Sequence, residues 1–186
     1  MAQGNEASKG VGKIWRIIMW GTILTLLILP ALAMQVTAEV NWTASDFLFA
    51  AVLLGSVGLG VEATVRASGD WAYRGAMFIA IALAFLTVWA NGAVGIIGSE
   101  DNPLNLLYLV SLLIGGLAAV WVWFRPRGMC RIMAAIAAAQ FAIAAIAAVN
   151  GYWVWIAAAA IGGGWSLSAI LFHQSERTAD PLNHAR

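Results

Sequence analysis

Six apolar blocks, each about as long as a bilayer is thick, decide what this chain can fold into. They cover approximately residues 15–34, 46–65, 75–97, 104–124, 131–149 and 152–173. A helix needs about 20 mostly apolar residues to cross the hydrocarbon core. The separators EVNWTASD, RASGDWAYR, GSEDNP, RPRG and NG carry turn and charge signals. Only 10% of the residues are charged and 62% are hydrophobic, whereas a soluble domain carries roughly a quarter charged residues. The chain therefore reads as an all-α integral membrane bundle of six transmembrane helices. Residues 15–173 form the membrane domain, and 1–14 and 174–186 read as tails.

Charge placement orients the spans. Lys9, Lys13 and Arg16 precede span 1; Arg66 and Arg74 flank the second connection; Arg125, Arg127 and Arg131 flank the fourth; Arg177 and Arg186 follow span 6. All ten cations fall on one side of a six-span arrangement, while Glu39, Asp46, Glu100 and Asp101 fall on the other. The positive-inside rule then expects both termini in the cytoplasm. Trp15, Trp42, Trp71, Trp123 and Trp153 stand near the span ends, where indole rings anchor at the headgroup level. The run from Lys9 to Pro30-Ala31-Leu32-Ala33 also resembles a cleavable signal peptide. A retained helix bent by Pro30 is the simpler reading.

Shifting the chain against itself by 59 positions aligns Arg66 with Arg125, Gly69 with Gly128, and Asn91-Gly92 with Asn150-Gly151. Such residues are scarce in spans, so spans 2–3 and 4–5 read as a duplicated helical hairpin. Common topology without common origin is the alternative.

Lipid gives helices no hydrophobic reason to associate, so small residues that let backbones approach become the glue. Gly55, Gly58 and Gly60, then Gly92, Gly95 and Gly98, Gly115-Gly116 and Gly162-Gly163-Gly164 supply them. Alanine makes up just over half of span 5. These faces suit packing inside the bundle, or a homo-oligomer. Thr43 to Asp46 fits a capping box opening span 2, and Asn102-Pro103 fits the start of span 4.

The remaining polar residues are the candidate site. Asn91 and Asn150 lie near the outer ends of spans 3 and 5. With Trp89, Trp153, Trp155 and Trp165 they suit an outward pocket with an apolar lining and a few polar handles. Asp46, Glu100 and Asp101 extend it, provided they border the same cavity as Asn91. Two polar residues are intramembrane. Glu62 suits pairing with Arg66 one turn on, or proton or ion handling. Gln140 must find a partner at mid-span, such as a backbone carbonyl or Ser111.

A catalytic set is missing from the sequence: it has no Ser-His-Asp grouping, HExxH or phosphate loop. One cysteine, Cys130, precludes an internal disulfide, and no Cys/His metal spacing or nucleic-acid patch is present. No cofactor is assignable. The function expected is a non-enzymatic binding or accessory bundle, contacting the lipid bilayer and an unidentified small molecule. A small transporter or channel is the alternative, and a membrane-embedded enzyme the second. The strings VNWTASDF (40–47) and AVGIIGSEDNP (93–103) resemble those of a family of small multi-pass bacterial inner-membrane proteins. The resemblance covers most of the chain and implies that membrane setting; it brings no activity or site residues.

Overall fold

The structure is a computed structural model in which the backbone is described for residues 2–178 and side chains for 13–178. His184 and Arg186, with the rest of 179–186, and the side chain of Lys9 lie outside the described residues. Among the described residues all regular structure is helical, and six helical stretches are long and apolar enough to cross a membrane. The protein is a multi-pass membrane protein. The chain divides into two compact units, residues 1–63 and 64–186.

The first unit holds α1 (Ala2–Val36) and most of α2 (Ala44–Ala67). Helix α1 continues through Pro30. The expected capping box is formed: the Thr43 amide donates to the Asp46 carboxylate at 2.7 Å, and the Asp46 amide donates back to the Thr43 hydroxyl at 3.4 Å. The two helices run antiparallel, because the start of α1 meets the end of α2. Glu62, buried on α2, accepts from Trp20 Nε1 at 3.2 Å and pairs with Arg16 at 2.5 Å. Arg16, arriving from α1, is a partner that a local spacing rule cannot see. Gly58 receives the Trp20 and Ile23 side chains so closely that a Cβ there would overlap them.

The second unit is the bundle of α3 (Trp71–Ala93), α4 (Leu106–Trp121), α5 (Pro126–Val149) and α6 (Trp155–Thr178), with a 3-10 turn at Pro103–Asn105. Short connections make consecutive helices antiparallel, so one end of the bundle carries Arg74, Arg125 and Arg127 and the other carries Glu100 and Asp101. Asp70 caps α3 by accepting from the amides of Ala72 and Tyr73. Arg74 ties that start to the end of α2 through the carbonyls of Ser68 and Val65. Across the bundle Arg127 pairs with Glu176, and Ser168 donates to the Ala76 carbonyl at 2.9 Å.

The core is built from small and polar residues as much as from large ones. Ala76, Ala144 and Ala147 are fully enclosed, whereas Leu113, Ile114 and Leu117 are exposed. Gly115 takes the Ile136 side chain, Gly162 the Phe141 ring and Gly164 the Leu83 side chain. Glycine at these points sets the helix separation.

Several helix ends depart from expectation. Span 3 stops at Ala93 rather than 97, and α5 starts at Pro126 rather than 131. Proline at the first helical position needs no amide partner, so α5 begins inside RPRG. Between α4 and α5 the chain turns through Trp123 and Phe124, both at φ 54°, a conformation costly for bulky residues. The Phe124 carbonyl accepts from the Tyr73 hydroxyl at 3.0 Å, which holds the turn in place. The helix ends do not follow the 59-residue shift: the counterpart of Trp71, the first residue of α3, is Cys130, already inside α5. Asn91 and Asn150 both donate to the carbonyl four residues back, Thr87 and Ile146. Asn91 does so buried within α3, Asn150 exposed at the end of α5.

Candidate functional site

The site is built on the stretch WANGAVGIIGSEDNPLN. Once α3 ends, the chain needs left-handed backbone at Gly95 (φ 73°) and Gly98 (φ 70°), which only glycine adopts without strain. A side chain at Gly95 would collide with the Ser99 backbone, and one at Gly98 with the Tyr152 ring. The loop then folds onto Asn105. Asn105 Oδ1 accepts from the amides of Ile96 (3.1 Å) and Ile97 (2.8 Å). Its Nδ2 donates to the carbonyls of Ile97 (3.3 Å) and Ser99 (2.7 Å). One buried amide thus satisfies four backbone groups that no helix serves. Asn102 accepts from the Leu104 amide and, with Pro103, opens the 3-10 turn. The expected cap is therefore present, but it starts that turn rather than α4 itself.

Against this rigid loop the α5–α6 turn leaves an open cleft of about 430 Å³, lined by Ser99, Asp101, Asn102, Pro103, Leu104, Asn150 and Tyr152. Its polar groups are one carboxylate, two hydroxyls and two amides. Such a set can hold a small polar cation: Asp101 supplies charge, and the neutral oxygens complete a shell of hard donors.

Of the seven candidate ligand-binding residues, the structure brings Asp101 and Asn150 together here. Glu100 is exposed on the same loop but does not line the cleft. Trp89 and Trp153 are exposed and outside it. Asn91 is buried and bonds the local Thr87 carbonyl at 2.7 Å, so it faces protein and not the cleft. Asp46 belongs to the first unit, where its carboxylate serves the capping box. Ser99, Asn102, Asn105 and Tyr152 are the residues that sequence reasoning missed. Tyr152 follows Asn150-Gly151 directly, and Asn105 closes the stretch already marked as unusual.

Gln140 is fully buried and donates to Ser111 Oγ at 3.3 Å. This is the partner its mid-span position called for. Its carbonyl oxygen has no partner in the protein, and neither do Thr87 Oγ1, Asn91 Oδ1, the Tyr108 hydroxyl or Trp165 Nε1. Each such group costs about 1–3 kcal/mol if left unpaired. No three or more His, Cys, Asp or Glu converge into a metal-binding group among the described residues. An apolar groove of about 380 Å³ runs between α4 and α5, from Leu107 to Ile146, with Ser111 in its wall.

Among the described residues outside the spans, Asp70 has a shifted ionisation. Partial burial pushes its carboxyl upward. Hydrogen bonds from Ser175 and from the amides of Ala72 and Tyr73 outweigh that and leave it below the usual carboxylate range.

No family model matches the sequence, and no curated protein or solved structure matches it significantly.

Proposed function

We propose that the protein is a small, non-enzymatic binding or accessory subunit of the bacterial inner membrane, holding a small polar cation in the cleft of residues 99–104, 150 and 152. The observation that carries this reading is the cleft itself, with Asp101 at its rim and a loop pre-shaped by Asn105. A site whose backbone is fixed before binding loses less on ordering. By the positive-inside rule the termini and the basic bundle end are cytoplasmic, so the cleft opens outward. Gly116 and Gly163 have open space beside them, which supports close approach of a second copy through these faces.

Thermal stability of the purified protein in nanodiscs, titrated separately with Ca²⁺, Mg²⁺ and tetramethylammonium, tests the reading. One of these cations raises the Tm, and Asp101→Asn weakens that response about tenfold, near 1.4 kcal/mol. Glu100→Gln, outside the cleft, leaves the response nearly intact. The reading fails if none of the three stabilises the protein, or if the two variants behave alike.

A further inference from the structure

Among the described residues five buried polar atoms have no protein partner, and they lie at similar depth in the bundle. Packing contacts set the register of the bundle. Leu83 of α3 lies against Gly164 of α6, Phe141 of α5 against Gly162, and Gln140 of α5 reaches Ser111 of α4. Thr87 and Asn91 follow Leu83 by one and two turns on α3. Trp165 lies next to Gly164, and Tyr108 is one turn from Ser111. All five therefore fall within roughly three helical turns, on the order of 15 Å of rise. They come from all four helices of the unit, and each belongs to a side chain at most 6% exposed.

Their chemistry is specific. Asn91 Oδ1 and Gln140 Oε1 only accept, Trp165 Nε1 only donates, and the hydroxyls of Thr87 and Tyr108 do either. None of the buried side chains described in this unit is charged. In a bilayer the penalty for an unpaired polar group is not relieved by bulk water. Native proteins satisfy buried polar groups almost without exception, and internal water is the usual supplementary partner.

We infer that the interior of α3–α6 is a binding site for small neutral molecules that both donate and accept hydrogen bonds. Water is the smallest of these, and a solute of urea or glycerol size is the other source of the same chemistry. Neutrality follows from the lack of a buried charge, and the donor–acceptor requirement from the mixture of oxygens and the indole N–H. This site is separate from the cleft and does not depend on it.

Hydroxyl-radical footprinting by X-ray radiolysis in nanodiscs reads the site without altering it, because bound water generates the radical beside the residue it touches. Tyr108 and Trp165 are modified several-fold more than Phe172, which is equally enclosed but apolar. Protection of both by added urea or glycerol assigns the site to a neutral solute; modification that neither solute changes assigns it to water. Modification of neither residue above the Phe172 level overturns the inference. Thr87→Val and Gln140→Met, which keep size and remove hydrogen bonds, lower the Tm by several degrees. A rise in Tm for both variants also overturns it, since atoms that are truly unpaired gain by becoming apolar.

Discussion

The hairpin of α1 and α2 and the bundle of α3–α6 use similar apolar sequences in opposite ways. In the hairpin none of the large aliphatic or aromatic side chains described is buried, and many, including Leu24, Leu29, Leu48 and Val52, are exposed. Its contacts between helices include Glu62 with Arg16 and Trp20, and the close approach at Gly58. In the bundle there is a core, and that core is enriched in alanine, glycine and neutral polar groups while leucines stand on the outside. Hydrophobicity therefore tells where the chain meets lipid and not where it meets itself. Inside a membrane, shape and hydrogen bonds select the packing.

The sharpest way to break this contrast is at Asn105. Asn105→Ala removes four hydrogen bonds at once and leaves buried backbone groups without partners. The expected loss is about 4 kcal/mol of unfolding free energy, at close to 1 kcal/mol for each bond. Steric trapping or SDS unfolding measures it. A loss below 1 kcal/mol would mean that the loop is not held from this residue.

In the hairpin the corresponding change is Glu62→Ala. It deletes the acceptor of Trp20 and the partner of Arg16. Arg16 is half-exposed, so screening reduces the value of the pair. A cost of about 2 kcal/mol is expected. Quenching of Trp20 fluorescence, compared between wild type and variant, reports whether α1 has left α2.

Asp70 tests how far polar capping supports the bundle. Its carboxyl is held below the ordinary value, so its contribution is present above the unfolded pKa near 3.8 and is lost as pH falls through the lower folded value. Asp70→Asn keeps a capping oxygen and removes the titration. The wild type should lose stability as the pH falls below about 4, and the variant should lose less. Asp70→Ala costs about 1 kcal/mol at neutral pH. Identical acid profiles for wild type and Asp70→Asn would remove Asp70 from the account.

Much of this architecture is legible in the residues. Charge and apolar length delimit the six helices. Thr43 with Asp46 and Asn102 with Pro103 announce their caps because those signals are local. Gln140 with Ser111 follows from the cost of an unpaired amide at mid-span. What escapes is non-local. Asn105 matters only because two glycines turn the chain back over it, and Arg16 reaches Glu62 across 46 residues of sequence. Asn91 and Asn150 show the limit of pattern matching. They share an Asn-Gly motif and the same backward hydrogen bond, yet one is sealed in the bundle and the other stands at the cleft. Trp89 and Trp153 look like pocket walls by proximity in sequence and are exposed instead.

The smallest expected effect is the most direct test of the contrast. Leu24→Ala and Leu29→Ala on α1 each remove a large apolar side chain that is more than half exposed. In a soluble core such a change costs about 2–5 kcal/mol. Here the side chain meets lipid in the folded protein and still meets lipid once the helices separate within the bilayer. The transfer term cancels, and no cavity forms because acyl chains fill the space. Each substitution should therefore change helix–helix stability by less than about 0.5 kcal/mol, read by steric trapping in bicelles. Ile136→Ala makes the contrast in the bundle, where the side chain is buried and seated on Gly115; a loss of about 2 kcal/mol or more is expected. Equal losses at Leu24 and Ile136 would mean that α1 has a protein partner along its exposed face, and the division between a lipid-facing hairpin and a packed bundle would no longer stand.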